Sequence, residues 1–68
     1  MNQVPDLLAG FLTTNEAAFA VRLSPVTLTK WRASGKGPPW CRIAGRVLYR
    51  ESDLREWVEA EAMRSAAA

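Results

Sequence analysis

The first apolar residues that recur at helical spacing follow a capping box and predict a short helix. The Thr13 hydroxyl is placed to accept from the Glu16 amide, and the Glu16 carboxylate is placed to reach back to the Thr13 amide. The helix should then run to about Arg22. Its core-facing residues would be Ala17, Ala20 and Val21.

A second helix should follow after only a tight turn. Ser24 is a preferred N-cap residue, Pro25 is a preferred first helical residue, and Gly35 supplies the left-handed residue that ends a helix after about Ser34. Because a helix advances by about 100° per residue, Leu28 should face inward. Trp31 would share that inward side. The outward side would carry Val26, Thr29, Lys30 and Ala33, with Pro25, Thr27 and Arg32 on its flanks.

A β-hairpin and a third helix complete the predicted order. Residues 40–43 and 46–50 are rich in β-formers and are joined across Ala44 and Gly45. Ser52 and Asp53 would start the last helix, where hydrogen-bond acceptors and negative charge are favoured. Its inward residues would be Leu54, Trp57 and Val58, and its outward residues Glu56 and Glu59.

These elements predict a mainly α fold with a small β-hairpin. The arrangement is a winged helix-turn-helix, with a helix-turn-helix, a two-stranded wing and a C-terminal helix. At 68 residues, the chain is long enough for one domain and too short for a second domain or a buried catalytic cleft. We expect residues 12–62 to form the domain, residues 1–11 a loose N-terminal arm and residues 63–68 a frayed tail.

The residue composition excludes several kinds of chemistry. The sequence has no histidine and one cysteine, Cys41, so one chain cannot build a His/Cys zinc site, a disulfide framework or a Cys-His nucleophile pair. The carboxylates lie mostly on the terminal helix and are not clustered as catalysis requires. We therefore expect no enzyme activity, cofactor or metal. The chain shows no secretory signal or membrane span, and its unpaired cysteine suits a reducing cytoplasm.

The charge is divided along the chain. Residues 14–50 carry seven basic residues and one acidic residue, a net charge of +6, whereas residues 51–68 carry a net charge of −3. This division predicts that the middle of the chain binds a polyanion, while the last helix faces solvent or a protein partner.

The second helix and the hairpin are the candidate DNA-binding elements. Val26 suits contact with a thymine methyl group, and Lys30 suits the acceptors of guanine. Arg42 and Arg46, near the hairpin tip, would present cations to phosphates or to a minor groove. Further candidates for phosphate contacts are Arg22, Lys36 and Arg50. The alternatives are an ordinary amphipathic surface helix and arginines that only protect an edge strand from aggregation.

The large aromatic residues have two competing interpretations. Trp31, Trp40 and Trp57 are predicted to anchor the core rather than to form a stacking platform for single-stranded nucleic acid. Phe19 lies at the margin of the first helix's apolar face. We expect it to pack against the N-terminal arm, and the alternative is a contact with another protomer.

A series of motifs runs through residues 12–57 in a specific order and spacing. They are Leu-Thr-Thr-Asn-Glu-Ala-Ala at 12–18, Leu-Ser-Pro-Val-Thr-Leu at 23–28, Trp-Arg at 31–32, Gly-Lys-Gly-Pro-Pro-Trp at 35–40 and Arg-Val-Leu-Tyr-Arg-Glu-Ser-Asp-Leu at 46–54, followed by Trp57. Together they resemble the excisionase-like, MerR-related winged helix-turn-helix family over about residues 12–59. Two positions depart from the family's pattern: Arg22 stands where glycine is usual, and Phe19 where a polar residue is common.

The resemblance implies that residues 24–34 form the recognition helix and residues 40–50 the wing. The DNA contacts it implies come from Ser24, Thr27, Thr29, Lys30 and Arg32 on the helix and from Arg42 and Arg46 on the wing. Pro25 and Val26 belong to the same candidate surface of the helix.

The resemblance also implies a biological role. Members of this family act either as recombination directionality factors or as small phage-type transcriptional regulators. The former bind repeated sites on double-stranded DNA, bend the DNA and help an integrase to excise a mobile element. A bacterial or phage-encoded protein of this kind would bind direct repeats cooperatively, with the acidic last helix of one copy against the basic middle of the next. The nearest alternative is a small phage-type transcriptional regulator. The second is a protein-interaction adaptor whose basic face binds an acidic partner.

Overall fold

Three helices and three strands follow one another along residues 3–67, the part of the chain described by the structure, a computed structural model. Met1 and Asn2 of the predicted arm and Ala68 of the predicted tail lie outside the described residues. The elements are β1 (Phe11–Thr13), α1 (Thr14–Val21), α2 (Pro25–Ser34), β2 (Cys41–Ile43), β3 (Arg46–Arg50) and α3 (Glu51–Ala67). The predicted fold, mainly α with a helix-turn-helix, a hairpin and a C-terminal helix, is confirmed.

The sheet contains a third strand, β1, that the sequence pattern did not predict. β3 lies in the centre of the sheet, with β1 and β2 antiparallel on its two sides. Phe11, which we assigned to the arm, pairs with Arg50. A strand of three residues is too short to show a period of its own. The central place of β3 agrees with its uninterrupted run of β-forming residues, Val47, Leu48 and Tyr49.

The two helices of the helix-turn-helix begin and end as predicted. Both hydrogen bonds of the capping box form: the Glu16 amide donates to Thr13 Oγ1 at 3.2 Å, and the Thr13 amide donates to the Glu16 carboxylate at 2.9 Å. Ser24 caps α2, Pro25 is its first residue, and Gly35 ends it in the left-handed conformation. Local sequence chemistry therefore determines where α1 and α2 lie along the chain.

Arg22 makes the turn between α1 and α2. It has φ 61° and ψ 41°, in the left-handed region, and its amide donates to the carbonyls of Ala18 and Phe19. Glycine adopts this conformation freely, whereas another L-residue does so at a cost of about 1–2 kcal/mol. The turn keeps its tight geometry although arginine occupies it.

Helix α3 begins directly after β3, without a loop. Its first residue is Glu51, one position before the predicted start at Ser52, and the Glu51 amide donates to the Gly10 carbonyl at 2.8 Å. The helix continues to Ala67, so residues 63–67 of the predicted tail are helical. Among the described residues, no helix is both long enough and apolar enough to cross a bilayer.

The core lies between α1, α2, one face of the sheet and the start of α3. Its buried side chains are Ala17, Ala18, Leu28, Tyr49 and Leu54. Trp31 packs partly against this cluster. The Trp31 and Trp57 rings lie 6.0 Å apart between centroids, tilted by 57°. Trp31 therefore packs against the core as predicted, and the half-buried Trp57 packs beside it.

The inward side of α1 differs from the prediction by one position. Ala18 is buried and Ala20 is exposed, because the side of α1 that meets the core is centred on residues 17, 18 and 21. Val58 of α3, predicted to be inward, is 42% exposed. It stands across from Ala20 and Val21, which are too small to cover it.

Two aromatic residues also lie outside their predicted places. Trp40 is 43% exposed and stands at the base of the hairpin, immediately before β2, rather than in the core. Phe19 is 87% exposed, so it does not pack against the described part of the N-terminal arm, residues 3–11. Leu7 and Leu8 of that arm are exposed as well, because the chain forms a turn over residues 7–10 and then enters β1.

Gly37 allows the loop after α2 to pass closely over Trp31. A Cβ at Gly37, where φ is 86°, would lie 2.8 Å from Trp31 Cε3, whereas a Cβ at Gly35, where φ is 74°, would meet nothing within 4 Å.

We predict that Gly35→Ala lowers the free energy of unfolding by about 1–2 kcal/mol, the cost of a left-handed alanine. Gly37→Ala should lower it further, because Trp31 must also move. Urea unfolding followed by circular dichroism measures both, and equal losses would contradict the steric role of Gly37.

Candidate nucleic-acid interface

The outward side of α2 presents a small surface of mixed character. Val26, Thr29, Lys30 and Ala33 are exposed, whereas Leu28 on the opposite side is fully buried. This is the division that the helical spacing predicts. Val26, 61% exposed, offers the one apolar contact, and Lys30 offers the one long donor. Because its other side chains are short, the outward side of α2 is able to approach a groove of a DNA duplex closely.

The hydroxyls at the start of α2 serve the helix itself. Ser24 Oγ accepts from the Thr27 amide at 3.1 Å and lies 3.0 Å from Thr27 Oγ1. Any contact that these two hydroxyls make with DNA would share this cap. Pro25 is exposed between them and has no amide hydrogen to donate.

Arg32 is bound within the protein instead of standing free on the flank of α2. Its Nη1 donates to the Tyr49 hydroxyl at 2.8 Å and to Thr14 Oγ1 at 3.1 Å, and its Nη2 donates to Thr29 Oγ1 at 3.4 Å. The guanidinium carbon also lies 6.0 Å from the centroid of the Trp40 ring. Arg32 is therefore a positioning residue that joins α2 to α1 and β3.

The register of the strands places the two wing arginines on opposite faces of the hairpin. Arg42 pairs with Val47, and Ile43 pairs with Arg46. Paired residues of antiparallel strands point to the same face of a sheet, and successive residues alternate between faces. Arg42 therefore lies on the face of Val47 and Tyr49, which meets the core and Arg32 of α2, whereas Arg46 lies on the other face. Both arginines are exposed.

A tight turn closes the hairpin. Ala44 and Gly45 have φ values of 52° and 79°, and positive φ at both central residues is typical of a type I′ turn. The predicted position of the turn is confirmed. Because only two residues separate the strands, Arg42 and Arg46 both stay near the tip.

The three further candidates for phosphate contacts lie away from the outward side of α2. Arg50 is at the other end of β3 from the tip, 3.7 Å from the Asp53 carboxylate. Lys36 and Arg22 each line a groove together with Trp57, on the side of α2 that faces α3. The structure does not bring these three residues together with Lys30.

Unpaired positive charge is present on what we call the α2–wing surface, the outward side of α2 together with Arg42 and Arg46. Within residues 3–67, three cations of this surface form no ion pair: Lys30, Arg42 and Arg46. On α3 the arginines are paired locally, Arg55 with Glu51 at 2.9 Å and Arg64 with Glu61 at 2.6 Å. The part of the chain that the structure describes contains no group of three or more side chains suited to bind a metal ion.

Sequence reasoning missed two residues of the site. Thr14 and Tyr49, which hold Arg32, are separated from it by 18 and 17 positions along the chain, so no local spacing connects them. The only indication was chemical, since a tyrosine buried in a strand needs a partner for its hydroxyl.

Comparison with known proteins agrees with this arrangement. The sequence pattern of a family described as a helix-turn-helix domain matches residues 11–62. The match starts at the first residue of β1 and ends within α3. A comparison with curated proteins finds no match to the chain.

The role of Arg32 as a positioning residue predicts an effect on stability. Arg32→Met keeps an unbranched side chain but leaves the buried Tyr49 hydroxyl without a partner, so the free energy of unfolding should fall by about 1–3 kcal/mol. Adding Tyr49→Phe should cost less in that background than in the wild type, with a coupling energy of about 0.5–3 kcal/mol. Urea unfolding of the four proteins measures the coupling.

The matched control for Arg32 is Arg55→Met, which removes an arginine from an exposed pair on α3. It should change the stability by less than about 1 kcal/mol. If Arg32→Met is no more harmful than this control, Arg32 does not join the helices to the sheet.

Proposed function

The chain belongs to the helix-turn-helix domain family, an excisionase-like family, and on this premise we propose that it binds a specific sequence of double-stranded DNA with α2 in the major groove. That DNA is its partner follows from the family. We propose further that the chain recognises a specific base sequence through the α2–wing surface, and that residues 12–62 form the DNA-binding domain. Readout of bases by a helix in the major groove is the usual mode for this motif.

The observation that carries this proposal is the exposed outward side of α2 with three unpaired cations around it. Lys30 is assigned to the acceptors of a guanine and Val26 to a thymine methyl group. Thr29 and the capping hydroxyls of Ser24 and Thr27 lie where they would meet neighbouring phosphates or base edges.

The wing supplies affinity rather than sequence reading. Arg42, on the face toward α2, would bind a phosphate beside the major groove, and Arg46, on the opposite face, would bind a phosphate on the other side of the wing. Arg22 and Lys36, which flank α2 in the sequence, remain secondary candidates for phosphate contacts. Arg50 is the weakest candidate, because Asp53 already lies 3.7 Å from it.

The finer role that we propose is that of a recombination directionality factor. A helix of ten residues with one long donor reads few base pairs, so several copies on repeated sites are needed for specificity. Copies aligned along the DNA would bend it and help an integrase to excise a mobile element. The setting would be the cytoplasm of a bacterium or of a phage-infected cell, and the protein would contribute no catalytic step of its own.

The charge of α3 supports a head-to-tail contact between neighbouring copies. Glu56 and Glu59 form no ion pair within residues 3–67 and are exposed. Glu56 would face the basic α2–wing surface on the next copy, and Glu59 the basic residues that flank that surface. A small transcriptional regulator would use the same DNA contacts, and a protein-interaction adaptor would use the basic surface for an acidic partner instead.

The test of DNA recognition compares variants of the α2–wing surface. We predict that Lys30→Ala narrows the difference in affinity between a selected site and an unrelated duplex by about 1–3 kcal/mol. Arg42→Ala and Arg46→Ala should weaken binding to both duplexes alike. Each should also make the plot of log association constant against log salt concentration less steep, by about 0.9 in the magnitude of its slope. Fluorescence anisotropy on a site selected from random duplexes, at several salt concentrations, measures both effects.

Arg55→Ala is the matched control, because it removes one positive charge from α3. Binding weakened equally by this control would mean that net charge alone, not the α2–wing surface, holds the DNA. Absence of preference among duplexes at any salt concentration would overturn sequence recognition and favour the adaptor.

Two assays separate the finer roles. Gel mobility of fragments with the site at permuted positions reports bending, and an integrase-dependent excision reaction reports directionality. We expect bending and a dependence of excision on this protein. Specific binding without either effect would leave the transcriptional regulator as the function.

A further inference from the structure

Phe19 is a large apolar side chain that the fold does not use. It projects from α1 and is 87% exposed, although α1 buries its neighbours Ala17 and Ala18 almost completely. A phenylalanine in the core of so small a domain would provide much of its apolar burial. One exposed apolar side chain is ordinary on a protein surface, but Phe19 combined with an apolar groove on the same helix points to contact with another molecule.

An apolar groove lies beside Phe19, between α1 and α3. Its floor and walls consist of Leu12, Ala20, Val21, Leu54 and Val58. The groove exists because Ala20 is too short to reach α3, which leaves Val58 partly exposed. Its volume is about 510 Å³, and a pocket of about 150 Å³ already accommodates a benzene ring.

We propose that Phe19 of one copy of this chain occupies the α1–α3 groove of a second copy. The same helix carries the projecting ring and forms one wall of the groove, so each copy brings both halves of the contact. The proposal goes beyond DNA binding and does not depend on it, because neither Phe19 nor the groove includes a residue of the α2–wing surface.

The charges at the edges of the two halves are complementary. Arg22 lies three residues after Phe19, in the turn that ends α1, and forms no ion pair with a carboxylate of residues 3–67. Glu59 lines the groove and likewise forms no ion pair within those residues. The other charged residues of the groove, Glu51 and Arg55, are already paired with each other at 2.9 Å. Arg22 of one copy and Glu59 of the other are therefore the charges that we expect to meet when Phe19 enters the groove.

The contact area is small, which predicts weak association in free solution. A stable interface between two proteins buries about 800 Å² per partner, and this chain exposes 5397 Å² in total. One aromatic side chain and one groove cover only part of the required area. When DNA holds two copies side by side, the high local concentration compensates for weak affinity, and the contact then makes binding cooperative.

The experiment measures self-association of the full chain without DNA. Sedimentation equilibrium over a wide concentration range gives the association constant, and amide shifts in concentration-dependent NMR spectra locate the surface. We expect association in the wild type, with shifts at Ala20, Val58 and their neighbours. Phe19→Ser should weaken association by at least about tenfold, as loss of an aromatic anchor does.

A second variant tests the groove without removing an exposed residue. Ala20→Leu should fill the space below the partner's ring, so association should weaken while the melting temperature stays the same or rises. Met63→Ser is the control, since Met63 is 73% exposed near the far end of α3 and should not affect association. Circular dichroism verifies that each variant is folded.

Charge exchange tests the orientation of the contact. Arg22→Glu alone should weaken association, and the double variant with Glu59→Arg should restore it. A wild type that stays monomeric at every concentration, or a Phe19→Ser variant that associates like the wild type, would overturn the proposal. Because Phe19→Ser leaves the α2–wing surface intact, this variant should still bind a single DNA site. Failure of the self-association proposal is therefore distinguishable from failure of DNA binding.

Discussion

The guanidinium of Arg32 connects α1, α2 and the sheet, and so links the two elements that we propose to bind DNA. It belongs to α2, donates to Thr14 at the start of α1, and donates to Tyr49 in the central strand of the sheet. β3 is also one arm of the wing, so this group determines how the outward side of α2 is oriented relative to the hairpin. A binding surface that is held rigid before contact loses less conformational freedom when it binds. In a domain with so few buried side chains, a charged hydrogen-bond centre supplies rigidity that the apolar core alone does not.

This use of Arg32 changes the meaning of the basic middle of the chain. Counting charges treats seven cations as equivalent, but the fold divides them. Arg32 is hydrogen-bonded inside the protein, and Arg50 lies 5.0 Å from the Phe11 ring centroid and near Asp53. Lys30, Arg42 and Arg46 remain on the α2–wing surface. Arg22 and Lys36 form no ion pair within residues 3–67 but lie beside Trp57, away from this surface. The fold therefore spreads the seven cations over several surfaces instead of one.

The features that were predictable from sequence are those determined by neighbours along the chain. The capping box at Thr13, the Ser24-Pro25 start, Gly35 and the Ala44-Gly45 turn each depend on a few adjacent residues, and each was predicted in place. Strand β1 and the partners of Arg32 depend on contacts across many positions, so no local pattern indicates them. The opposite faces of Arg42 and Arg46 form an intermediate case. A two-residue turn determines the pairing of the strands, and the alternation of faces then follows.

Phe19 and Ala20 show why an apolar count does not by itself predict a core. The two residues are adjacent on α1, but the one beside the groove is small and the large one points away from the core. Full burial of a phenylalanine contributes about 1.5–3 kcal/mol, a large share of the roughly 5–15 kcal/mol by which small domains are stable. The folded monomer gains none of this from Phe19 and leaves Val58 partly uncovered as well. The proposed contact with a second copy would bury the Phe19 ring and cover Val58 in one step, because the projecting ring and the groove lie on the same pair of helices.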